Sequence, residues 1–67
     1  MDYLSHFDRN SRVCGGETVF KGTRVTLRTV LASLADGDSV DAILADFPTL
    51  TANDVRAAIA FAATLAQ

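Results

Sequence analysis

Val40-Asp41-Ala42-Ile43-Leu44-Ala45-Asp46-Phe47-Pro48-Thr49-Leu50-Thr51-Ala52-Asn53-Asp54-Val55 is the stretch whose reading decides the fold. Val40, Ile43, Leu44 and Phe47 recur at i, i+3, i+4 and i+7, one face of a helix. Ser39 stands where an N-cap belongs, and Asp41 places negative charge at the positive helix end. Pro48 cannot continue the helix and pushes Phe47 out of helical geometry, so the stop falls near Asp46. Thr51-Ala52-Asn53-Asp54 is a capping box with Asp in place of Glu, and Leu50 can staple against Val55. The spacing therefore predicts helix, a turn of about four residues from Phe47 to Leu50, and helix again.

Upstream, Leu27, Val30, Leu31, Leu34 and Ala35 repeat the helical spacing, with Thr26 as the cap and Gly37 supplying a left-handed C-terminal stop. Downstream, the last helix runs on alanine-rich sequence to Leu65. One of its stripes is Val55, Ala58, Ile59, Ala62 and Ala66; a second is Ala57, Phe61 and Leu65. That is more apolar surface than two short helices need to cover. Phe61 and Leu65 are thus expected to meet a second chain, the alternative being cover by the N-terminal hairpin.

Residues 1–26 read differently. Gly15-Gly16 and Gly22 are turn signals, and Thr18-Val19-Phe20 and Thr23-Arg24-Val25-Thr26 are short β-favouring runs on either side of Lys21-Gly22. A small hairpin is expected there, with an earlier strand at Tyr3 to Phe7. A lone hairpin is barely stable in water, so Val19 and Phe20 must pack on the helices or pair with a partner. The expectation is a mainly α single domain over 1–67: a short N-terminal β-hairpin or arm over 1–26, then a three-helix unit over 27–67.

Composition bounds the rest. With 67 residues the chain is one small domain, and such domains are marginal without extra support. One cysteine and one histidine leave no internal disulfide and too few ligands for a structural zinc site. That points to a homodimer or a partner protein, with no cofactor and no metal. No apolar run approaches the roughly 18 residues of a membrane span. The first residues lack the basic start and apolar core of a signal peptide, so a cytoplasmic location is the default and no membrane partner is expected.

The net charge is −2, unevenly spread. Residues 1–30 hold Arg9, Arg12, Lys21, Arg24 and Arg28 against Asp2, Asp8 and Glu17, a balance of +2. Residues 31–67 hold Arg56 against Asp36, Asp38, Asp41, Asp46 and Asp54, a balance of −4. A helix–turn–helix places the start of its second helix in the major groove. Asn53 and Arg56 lie three apart there, and Asn suits adenine as Arg suits guanine. Lys21, Arg24 and Arg28 are the candidates for phosphate. Against this, Asp54 and the acidic preceding helix repel phosphate, and helical hairpins also pack with no DNA role. His6 has no triad around it, and Cys14 before Gly15-Gly16 reads as a small half-buried residue rather than a reactive thiol. No enzyme is expected.

Several stretches together carry a family resemblance: Val13-Cys14-Gly15-Gly16, Val19-Phe20-Lys21-Gly22-Thr23-Arg24-Val25, Ile43-Leu44-Ala45-Asp46-Phe47-Pro48, and Leu50-Thr51 with Asp54-Val55-Arg56-Ala57-Ala58. They resemble the domain of unknown function 433 family, whose members include antitoxins similar to the VapB type. The resemblance covers about residues 4 to 65. It implies an N-terminal β element, a homeodomain-like three-helix unit, a homodimer, neutralisation of a PIN-like ribonuclease toxin and binding to operator DNA. The chain departs from the family pattern after Gly15-Gly16, where Glu17 and Thr18 replace a basic residue and a proline. With little sequence after the third helix, toxin contact is expected from the folded surface. The alternative function is a protein-interaction or dimerisation module without DNA binding.

Overall fold

The computed structural model describes residues 2–9 and 17–66. A 3-10 turn at Tyr3–His6 leads into β1, Phe7–Arg9. After β2, Thr18–Phe20, come α1, Leu27–Ala35, α2, Val40–Asp46, and α3, Ala52–Leu65. The fold is mainly helical behind a short antiparallel β pair, as the sequence pattern predicts.

The three helices begin at the expected residues because each has a hydroxyl poised before its first turn. Thr26 accepts from the Thr29 N–H, Ser39 from the Ala42 N–H, and Thr51 from the Asp54 N–H. These bonds satisfy amides that no helical carbonyl reaches. At the end of α1, Gly37 takes φ 92°, and the Gly37 and Asp38 N–H groups donate back to the Leu34 and Ser33 carbonyls. This pair of bonds closes α1 and turns the chain toward α2. The turn after α2 is closed by the Leu50 N–H donating to the Phe47 carbonyl at 3.0 Å.

The β pair differs in detail from the expectation. β2 pairs antiparallel with β1, in the register Phe7 to Phe20, Asp8 to Val19 and Arg9 to Thr18. Tyr3–His6, expected as strand, is a 3-10 turn, and the strand starts at Phe7. Thr23–Thr26 does return beside β2, but through one bridge, Val19 to Thr26, and one bond from the Phe20 N–H to the Val25 carbonyl. The reversal is the tight turn Phe20 to Thr23, with Gly22 at φ 77° in its third position. Only a residue tolerant of positive φ fits there. Immediately afterwards Thr26 caps α1, so the returning segment has no length left to extend the ladder.

The core gathers Phe20, Leu27, Val30, Ile43, Leu50, Val55 and Ala58, one or more from every long element. Phe7, Val25, Leu31, Leu34, Leu44, Phe47 and Phe61 pack around it. Val19 and Phe20 are consecutive in β2, so their side chains point to opposite faces, and both are buried. They belong to the chain's own interior, the first of the two placements expected for them, and not to an exposed face that a second chain could take as interface.

Candidate nucleic-acid interface

The site begins at the N-terminus of α3. Thr51 Oγ1 accepts the Asp54 N–H at 3.2 Å, and Asp54 Oδ2 accepts the Thr51 N–H at 2.9 Å. The capping box read from the sequence is therefore reciprocal and complete. The other oxygen, Oδ1, lies 2.8 Å from His6 Nδ1 across 48 residues of sequence. An ionised carboxylate only accepts, so His6 Nδ1 is the donor. Burial acts first, pushing the Asp54 carboxyl up. The bonds from His6 and Thr51 outweigh it and hold the group below its ordinary value of 3.8.

His6 does a second job through its backbone. Its carbonyl accepts the Lys21 N–H at 2.8 Å. One residue thus ties the Lys21-Gly22 turn to the start of α3. Sequence reasoning missed this role for His6, because no local pattern joins positions 6 and 54.

Helical geometry then sorts the α3 side chains. At about 100° per residue, Ala52, Arg56, Ile59 and Ala63 share an arc of about 60°, with Asn53 about 60° from Arg56. All five are exposed. Asp54 lies about 160° round from Arg56, on the side held by His6. The one acid of α3 is thereby turned away from the outward arc. The objection that Asp54 repels phosphate beside Arg56 loses most of its weight.

The other expected cations lie on the turn after β2 and at the start of α1. Lys21 is exposed on the turn whose backbone reaches His6, and Arg24 is exposed two residues beyond Gly22. Arg28 sits in the first turn of α1, with Nη2 2.8 Å from Glu17 Oε1. Its side chain is exposed, so this is a surface pair of small worth. The Glu17 that departs from the family pattern is the residue answering Arg28.

Phe61 and Leu65 part company. Phe61 is half-buried, meeting the Tyr3 ring edge-on at 5.9 Å and the Phe7 ring at 5.6 Å. Phe61 is thus covered within the chain, by the residues ahead of the expected hairpin rather than by the Lys21-Gly22 hairpin itself. Leu65 remains 72% exposed, and Leu4 59%. Ile59, a member of the first apolar stripe, is 46% exposed, whereas Ala57 of the second is fully buried. Cys14 and Gly15-Gly16 lie outside the described residues. Among those described, no group of three or more His, Cys, Asp or Glu is placed to hold a metal, and no helix is long and apolar enough to cross a membrane.

A family model and a solved structure point to one family. A crystal structure of a DUF433 member from Anabaena variabilis superposes with a TM-score of 0.78 at 30% identity, covering 90% of this chain and 63% of that one. The uncharacterised protein y4eO of Sinorhizobium fredii is 42% identical over 50 residues, which is 75% of this chain. The matched segment is 23% of y4eO, so this chain corresponds to a minor part of that longer protein. The model of the DUF433 family, proteins of unknown function, matches residues 8–62, and the chain belongs to that family.

Proposed function

We propose that this chain binds duplex DNA through α3, as an antitoxin-like regulator. The outward arc of α3 enters the major groove, with Asn53 and Arg56 on base edges. Lys21 and Arg24, on the turn that His6 ties to the start of α3, are the candidates for phosphate at that end of the helix, and Arg28 adds a weaker contact in competition with Glu17. The observation that carries the reading is the sorting of charge on α3. Asn53 and Arg56 stand exposed on one side, while Asp54 is held on the other by His6 and Thr51. A helix in the second position of a helix–turn–helix, with its acid turned away from its reading face, is suited to approach a polyanion. Neutralising a PIN-like toxin as a homodimer is the wider role consistent with the family resemblance.

The test is a gel shift of the full chain on the DNA upstream of its own gene, at increasing salt. Binding is expected at low salt, with log K falling against log salt with a slope of about −2 to −3 for two or three phosphate contacts. No shift at about 20 mM salt, where phosphate contacts are strongest, overturns the proposal. A second reading, a protein-docking module, draws on the exposed Leu65 and Leu4. It predicts that Leu65→Asp abolishes co-purification with a toxin while leaving any DNA shift intact.

A further inference from the structure

Ile59 is 46% exposed, although Val55 one turn earlier and Ala58 beside it are fully buried. It stands on the outward arc with Arg56, and the remaining members of that arc, Ala52 and Ala63, are small. Arg56 supplies the arc's one charge. A helix face with a low profile, one cation and one β-branched apolar side chain complements a groove floor that offers acceptors and a methyl group. The major groove presents that combination: guanine N7 and O6 for an arginine, and the thymine C5-methyl for an apolar contact.

We infer that Ile59 selects thymine. The inference rests on the duplex-binding reading above and names the class of site it takes. Arg56 and Ile59 are three residues apart, a rise of about 4.5 Å along α3. Base pairs step by about 3.4 Å. The thymine therefore lies one to two base pairs from the guanine read by Arg56, with the adenine read by Asn53 at a similar distance on the other side. The ligand is B-form DNA with a short adenine, guanine and thymine element, the bases falling on either strand.

The probe is a set of 20-bp duplexes randomised at their centre and selected with the full chain at low salt. The winners are then remade with deoxyuridine for each thymine, which removes only the methyl group. The expected result is a thymine near an enriched guanine, whose replacement weakens binding about three- to fivefold, the scale of one buried methyl. Ile59→Ala should bind thymine and deoxyuridine duplexes equally, and Ile59→Val should keep the discrimination. Both substitutions are at an exposed helical position, so circular dichroism should show the fold unchanged. If the wild-type chain retains no duplex, the duplex-binding reading falls and this inference with it. If it binds but ignores the methyl, or selects no thymine, the inference alone is overturned. Altered sedimentation of Ile59→Ala without a change in methyl discrimination also overturns it, assigning the face to a protein contact.

Discussion

Removing the His6 side chain should unpin α3 by a measurable and calculable amount. The His6–Asp54 bond is 2.8 Å long between side chains 25% and 18% exposed. A hydrogen bond to a charged group contributes about 1.5–3 kcal/mol when well shielded. Partial exposure brings that down to about 1 kcal/mol. His6→Ala leaves the backbone bond from Lys21 intact, so it isolates the side-chain contribution. A double-mutant cycle with Asp54→Asn, followed by urea unfolding, should give a coupling energy of about 1 kcal/mol. With an m-value of about 1 kcal/mol/M for so small a domain, the His6→Ala midpoint falls by about 1 M. The acid limb gives a second reading. The Asp54 carboxyl titrates lower when folded than its ordinary 3.8. Its contribution is thus fully present above pH 3.8 and is lost as pH falls through the lower folded value. Asp54→Asn should remove that part of the acid slope. A coupling energy within about 0.3 kcal/mol of zero, outside the usual range for interacting neighbours, would refute the idea that His6 anchors α3.

Gly37→Ala should cost about 1 kcal/mol in urea titration, because φ is 92° while space for a Cβ is open, so the penalty is conformational alone. Phe61→Ala should cost about 2 kcal/mol, below the range for a fully buried ring, with a matching drop in thermal midpoint. It loses ring contacts with both Tyr3 and Phe7. Arg28→Ala should change stability by less than about 0.5 kcal/mol, since its pairing with Glu17 is at the surface.

The helical half was legible because each signal is local. Thr26, Ser39 and Thr51 cap the helices the periodicity marks, and Pro48 and Gly37 stop them. The β pair was legible in kind and not in partner. Three-residue runs carry too little alternation to choose between strands, and β1 is separated from β2 by residues 10–17. The faces of α3 were half legible. Periodicity grouped Ile59 with Val55 and Ala58, but the bundle is too small to cover all three. Phe61 found its cover in Tyr3 of the 3-10 turn and Phe7 of β1, short elements that no apolar spacing announces. The His6–Asp54 bond was invisible for the same reason: it depends on the fold bringing residue 6 to residue 54.

Under the duplex-binding proposal, that bond also resolves a conflict in α3. The helix needs an acid in its first turn, both to cap its amides and to meet its positive end. A DNA-reading helix does best without one. Asp54 serves the first need while facing His6, about 160° from Arg56. The two demands are therefore separable by position, and Ala52→Glu separates them. Residue 52 is the first of α3 and is exposed, so a glutamate there should raise stability by about 0.3–0.5 kcal/mol through the helix dipole. It also sets a negative charge about 40° from Arg56 on the outward arc, which should cut duplex affinity at least about tenfold at low salt. Stability and affinity then move in opposite directions in one variant, a result that misfolding cannot produce. Unchanged affinity in a stabilised Ala52→Glu chain would mean that the outward arc of α3 is not the surface DNA meets.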